Sequence, residues 1–185
     1  MSTLSLVTLV GNPKTGSRTL SAASTLANTL PEKFDGGRRT VIDLADIADG
    51  LLAPWRLSDP AAQAAADVKV ADLLVIATPT YKASFTGLLK LFLDVLPAGS
   101  LASTVVVPLT VSGGPAHRHL ADLQLRPVLS ELGAVVPAPS LLMEESDLPE
   151  FAGPRAELPG PARTGDRRGG RGAGGLAPTG LIATG

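Results

Sequence analysis

Apolar positions along this chain alternate between two rhythms. Residues 4–10 form a mostly apolar, β-rich run, the pattern of a strand covered on both faces. Residues 17–30 then place Leu20, Ala23, Leu26, Ala27 and Leu30 at helical spacing and predict a first helix. A second strand is expected over 39–44, followed by a longer connection over 45–58 that carries Pro54 and the single tryptophan, Trp55. Asp59-Pro60 offers a capping residue with proline at the first helical position, and the alanine-rich stretch to residue 71 predicts the second helix. Residues 72–78, 86–96 and 103–109 read as strand, helix and strand. Residues 117–132 predict a fourth helix that Pro127 should kink or locally widen, and 134–142 a fifth strand held to an edge by Pro137 and Pro139. Strands alternating with helices across short loops imply a parallel sheet with right-handed crossovers, an α/β fold.

Three strand-to-helix loops hold the candidate chemistry, because open α/β sheets bind ligands at the carboxyl ends of their strands. In the first, Gly11-Asn12-Pro13-Lys14-Thr15-Gly16-Ser17-Arg18-Thr19, the loop amides and the N-terminus of the first helix favour an anion. Ser17 and Thr19 carry hydroxyl donors, and Arg18 can pair with a phosphate through two N–H groups. A plain reading, with Ser17 only capping the helix, stands beside it. The P-loop pattern fits the separation of Gly11 and Gly16 but fails after Gly16, where Ser17-Arg18 leave the phosphate lysine and the magnesium hydroxyl out of place.

The second loop runs from Pro79 through Thr80, Tyr81 and Lys82. It combines a fixed φ, backbone donors, an aromatic face and a charge, as a planar ring requires. Taken alone, Tyr81 reads as an ordinary half-buried tyrosine, and its place in this loop is what favours a ligand. The third loop, 110–117, contains Ser112-Gly113-Gly114, whose glycines let backbone approach a ligand closely or simply give the loop freedom.

Composition removes several classes of function. The 185 residues with 44% hydrophobic content suit one domain, and a net charge of −1 provides no field for nucleic acid or an anionic membrane. There are no cysteines, so disulfides, thiolate metal sites and cysteine nucleophiles are excluded. His117 and His119 are two apart and point to different faces of a helix, which disfavours a metal pair. No G-x-S-x-G elbow presents a serine nucleophile. Asp94, Glu131 and the Glu144-Glu145 pair read as solvated charges. The N-terminal residues lack a signal-peptide pattern and no apolar run approaches a membrane span, so a soluble cytoplasmic protein is expected.

With the loops in place, the chain resembles the flavodoxin-like NAD(P)H-dependent FMN reductases, particularly those that supply reduced flavin to sulfonate monooxygenases. The resemblance covers residues 4–148 and is most specific over 79–94 and at Pro127-Val128-Leu129. It implies a flavodoxin-like, doubly wound, five-stranded parallel sheet of order 2-1-3-4-5 in a domain spanning 1–150. It also implies FMN phosphate at Asn12, Ser17, Arg18 and Thr19, the isoalloxazine ring under Pro79, Thr80, Tyr81 and Lys82, and its edge at Ser112, Gly113 and Gly114. Ala116-His117 match a segment of the same family. NADH or NADPH would deliver a hydride to FMN, and the reduced flavin would pass to an acceptor such as a flavin-dependent monooxygenase. The absence of G-x-G-x-x-G argues against a separate Rossmann site for the nucleotide. A flavodoxin-like electron carrier and a non-catalytic flavin-binding module are the alternatives.

One departure concerns residues 121–127, which lack the inserted tyrosine that creates a π-bulge in some sulfonate-linked relatives. The predicted third helix is apolar around more than one face, so a homodimer or homotetramer through it is expected, as in the resembling family. Residues 151–185 depart altogether: rich in glycine, proline and arginine without period, they read as an irregular or disordered tail, with the composition of a shifted reading frame in GC-rich coding sequence.

Overall fold

The computed structural model describes residues 4–30 and 37–153; the expectations for the glycine-rich tail lie outside the described residues. Five strands form one sheet: β1 (Leu6–Val10), β2 (Arg39–Asp43), β3 (Leu73–Pro79), β4 (Val105–Ser112) and β5 (Leu141–Glu144). All neighbours pair parallel, in the order 2-1-3-4-5 that the resemblance implies. Four helices connect them: α1 (Arg18–Thr29), α2 (Asp59–Lys69), α3 (Gly87–Leu93) and α4 (Leu120–Glu131).

Strand residues alternate between two cores. Val7, Leu9, Leu74 and Ile76 face one side with Val68 of α2, Leu89 and Phe92 of α3, and Leu125 and Leu129 of α4. Leu6, Val10, Val75 and Ala77 face the other with Ala22, Ala23 and Leu26 of α1. The central strands β1 and β3 are buried throughout, which is why they read as continuous apolar runs.

Several boundaries differ from the sequence expectation, each for a local reason. Ser58, not Asp59, caps α2: its Oγ accepts from the Ala61 amide at 3.4 Å, which puts Asp59 and Pro60 inside the first turn. Helix α3 is shorter than expected, with Thr86 as its cap and Asp94 at its end. Strand β4 runs on to Ser112, so Thr110, Val111 and Ser112 are strand and not loop, because β5 pairs with that stretch from Leu109 onward. His117 sits in a separate 3-10 turn ahead of α4, and the α-helical turns of α4 continue through Pro127.

The expected fifth strand is split. Val135 makes one isolated parallel bridge to Val105, then Pro137 and Pro139 remove two amides and the chain leaves the ladder. It returns at Leu141 because Ser140 is fastened to α4: the Ser140 hydroxyl donates to the Asp122 carboxylate, and Arg126 donates to Ser140 Oγ at 2.9 Å and to the Ala138 carbonyl at 3.3 Å.

Candidate functional site

The connections after β1, β3, β4 and β5 all emerge at the carboxyl edge of the sheet. Between them lies a crevice of about 320 Å³ whose lining includes Asn12, Ser17, Arg18, Thr19, Pro79 and Tyr81. Six of the eleven residues expected from sequence therefore meet in one place, drawn from loops at least sixty positions apart. Lys14, Gly16, Val111, Glu145 and Leu148 complete the lining. Thr80, Lys82, Ser112, Gly113 and Gly114 do not line it directly, although Pro79, Tyr81 and Val111 beside them do.

The first loop is held by its own side chains. Asn12 is buried, with its carbonyl oxygen accepting from the Lys14 amide at 2.9 Å and its amide nitrogen donating to Thr19 Oγ1 at 3.1 Å. The role of Asn12 seen here is thus to shape the loop. Thr19, accepting from Asn12, keeps its own O–H free to donate. Gly16 takes a positive φ of 62°, and its amide donates to Asp43 Oδ2 at 3.2 Å, tying the loop to the end of β2. Ser17 caps α1, its Oγ accepting from the Leu20 amide at 3.2 Å; the cap uses a lone pair and not the hydroxyl proton. The Arg18 and Thr19 amides, in the first turn of α1, have no intrahelical carbonyl to meet, and both residues line the crevice. An anion at this corner would find two amides, two hydroxyls and a helix N-terminus.

The second loop is built differently. Tyr81 and Ser84 exchange backbone hydrogen bonds of 2.8 and 3.0 Å across the two-residue turn Lys82-Ala83, and both turn residues have positive φ, 49° and 65°. A two-residue hairpin of this geometry favours Asn-Gly, so lysine and alanine hold it under strain. The result is that Tyr81 stands 50% exposed at the crevice rim. The Thr80 amide is pinned to the Val111 carbonyl at 2.7 Å, while Thr80 Oγ1 is buried with no hydrogen-bond partner. Such an orphan hydroxyl is costly unless a ligand satisfies it.

Thr86 joins the two loops. Its Oγ1 caps α3 at the Leu89 amide, 3.1 Å away, and its proton goes to the Gly11 carbonyl. The amide of Thr86 in turn donates to Thr78 Oγ1 at 3.2 Å. Gly11 is required here by close approach, since a Cβ would lie 2.6 Å from Leu89 Cβ. Neither Gly11 nor Thr86 was singled out from sequence; a buried threonine directly ahead of an apolar helix is the signal that could have found the clamp.

In the third loop the Ser112 hydroxyl is turned inward, donating to the Gly114 carbonyl at 3.1 Å. Ser112 thus shapes the loop, whereas Gly113 and Gly114 border open space. Glu145, read from sequence as a solvated charge, faces Arg18 across the crevice, with Arg18 Nη2 2.7 Å from Glu145 Oε2. Its position follows from the rule that places every loop after a parallel strand at one edge. Among the described residues there is no group of acidic or histidine side chains able to hold a metal, and no helix is long and apolar enough to cross a membrane.

A doubly wound parallel sheet with an anion corner and an aromatic rim at its carboxyl edge defines a flavodoxin-like nucleotide-cofactor protein. Residues 4–147 match the model of the NADPH-dependent FMN reductase family, and the chain belongs to that family. Among its relatives, an FMN reductase (NADPH) of Escherichia coli K12 is 38% identical over 132 residues, 70% of this chain and 67% of that protein. The NADH-dependent FMN reductase SfnE of Pseudomonas putida is 33% identical over 151 residues, 80% of this chain and 81% of that one. Among solved structures, the apo form of an NADH:FMN oxidoreductase superposes with a TM-score of 0.68 at 35% identity, covering 78% of this chain and 77% of its own.

Proposed function

We propose that this chain is an FMN reductase that moves a hydride from NADH or NADPH to FMN and releases reduced flavin to an acceptor such as a flavin-dependent monooxygenase. The observation that carries the reading is what meets in one crevice: the first turn of α1, with Arg18 and Thr19, at one end and the Tyr81 ring at the other, with the orphan Thr80 hydroxyl next to it in sequence. Both kinds of group suit FMN, which offers a phosphate at one end and a polar-edged ring at the other. When bound, FMN supplies the redox chemistry itself, accepting the hydride at its ring nitrogen N5 from C4 of the nicotinamide.

The chain's residues have binding and orienting work to do. Arg18, Ser17 and Thr19 hold the phosphate, with Asn12 shaping their loop; Pro79, Thr80, Tyr81 and Lys82 position the ring; Ser112 braces Gly113 and Gly114 at its edge. The nicotinamide lies over the open flavin face, and no acid–base dyad is needed. Cytoplasmic location, where reduced pyridine nucleotide is maintained, fits the reaction.

A homodimer or homotetramer through α3 belongs to the same reading. Leu88, Leu91 and Val95 form a half-buried stripe at helical spacing, and a groove of about 370 Å³ between α3 and α4 is lined by Leu93, Leu96, Pro127 and Val128 together with the charged Lys90, Asp94 and Glu131. Light scattering at micromolar concentration is expected to give at least twice the chain mass; a monomeric mass would count against it.

The activity is tested by recording the visible spectrum of the purified protein and then following NADH and NADPH absorbance with and without added FMN. Nucleotide oxidation that depends on FMN is expected. Tightly held flavin with no nucleotide oxidation would point instead to an electron carrier.

A further inference from the structure

We propose that Glu145 is a built-in competitor for the phosphate of FMN: it occupies Arg18 when the flavin is away and lowers affinity when the flavin arrives, which keeps FMN exchangeable. The inference rests on the reading of the crevice as an FMN site.

The charged residues that line the crevice are Lys14, Arg18 and Glu145, a net charge of +1 where a phosphate dianion is to be held. Arg18 Nη2 already donates to Glu145 Oε2 at 2.7 Å. For the guanidinium to offer a fork of parallel N–H groups to phosphate, this contact must open or be shared. A carboxylate in contact with Arg18 also stands within reach of whatever Arg18 grips, and like charges at that range repel. Glu145 is not there by accident of a wandering loop. Its amide donates to the Ser112 carbonyl at 2.9 Å, and the turn that carries it is closed by the Glu144 amide on Asp147 Oδ2 at 3.0 Å and the Asp147 amide on the Glu144 carbonyl at 3.0 Å. The backbone of Glu145 is thus fixed beside the phosphate corner by bonds that do not involve Arg18.

Both side chains remain more than half exposed, 63% for Arg18 and 52% for Glu145. Water screens them, so the effect is modest and salt-dependent. A modest effect suits a reductase whose product must leave: the site keeps a resident carboxylate ready to replace the departing phosphate on Arg18.

The test is a titration of FMN and of riboflavin, which lacks the phosphate, by quenching of flavin fluorescence in wild type, Glu145→Gln and Glu145→Ala. At low ionic strength both variants are expected to bind FMN about threefold to fivefold more tightly, with riboflavin unchanged. The gain should shrink in high salt and should be smaller in an Arg18→Ala background. Unchanged or weaker FMN binding would overturn the proposal, the second result making Glu145 a support for Arg18 instead. An equal gain for riboflavin would overturn it as well. Failure of the wild type to bind either flavin would remove the FMN site itself, an outcome separate from any effect of Glu145.

Discussion

The two loops that face each other across the crevice solve the same problem by opposite means. In the first loop side chains are spent on shape: Asn12 bonds forward to Lys14 and Thr19, Ser17 caps α1, and Asp43 holds Gly16. In the second loop, shape comes from the backbone, through a strained turn at Lys82-Ala83, and the Thr80 hydroxyl is left without a partner. The first loop is thus braced by its own side chains and leaves only helix-end amides unmet, whereas the second leaves a buried hydroxyl unmet. Such a division suits a ligand whose charged end can be captured by fixed dipoles and whose flat end must slide in and out.

The comparison breaks most severely where the two loops share a residue. Thr86→Val leaves the Leu89 amide uncapped and the buried Gly11 carbonyl without its donor, and about 2–3 kcal/mol of stability should be lost. Urea unfolding measures it; a loss below about 1 kcal/mol would mean that the loops are held together by packing alone.

Next come substitutions that separate the two ends. Arg18→Ala should weaken FMN about tenfold and leave riboflavin nearly untouched, the low end of the range for charge-assisted contacts because Arg18 is exposed and shared with Glu145. Tyr81→Ala should weaken both flavins alike, by about fivefold, since an aromatic contact to the ring does not depend on phosphate. Titrations in which both substitutions gave the same FMN-to-riboflavin ratio would erase the distinction between the ends.

The smallest effect tests strain. Ala83→Gly relieves a positive φ at a cost in unfolded-chain entropy, for a net gain of about 0.5 kcal/mol. A rise in the thermal midpoint is expected; a fall would show that the turn is not under strain.

Most of this architecture is legible in the order of residues. Strands β1 and β3 declare themselves because burial on both faces removes every charge from them, and α1 because its apolar positions repeat on one face. Strand β5 was misplaced because Val135 and Val136 look like strand. What returns the chain to the sheet is the fastening of Ser140 to Asp122 and Arg126, a contact between residues 14 to 18 apart that no local pattern reveals. The six expected loop residues that line the crevice were visible through composition, since proline, glycine and hydroxyl groups mark turns. Glu145 was not, because a surface carboxylate has the same local signature whether it faces solvent or a crevice.

The bond from Thr86 to the Gly11 carbonyl spans 75 positions of sequence and exists only once β1 and β3 lie side by side. Chains in which β1 and β3 are unpaired therefore have no crevice, and the pocket depends on long-range closure rather than on a local hairpin. Flavin would recognise only the fully formed protein, so each tenfold excess of FMN over its dissociation constant should slow loss of the whole fold and not merely of one loop. In a cell, the supply of flavin would then help to set how much of the enzyme survives.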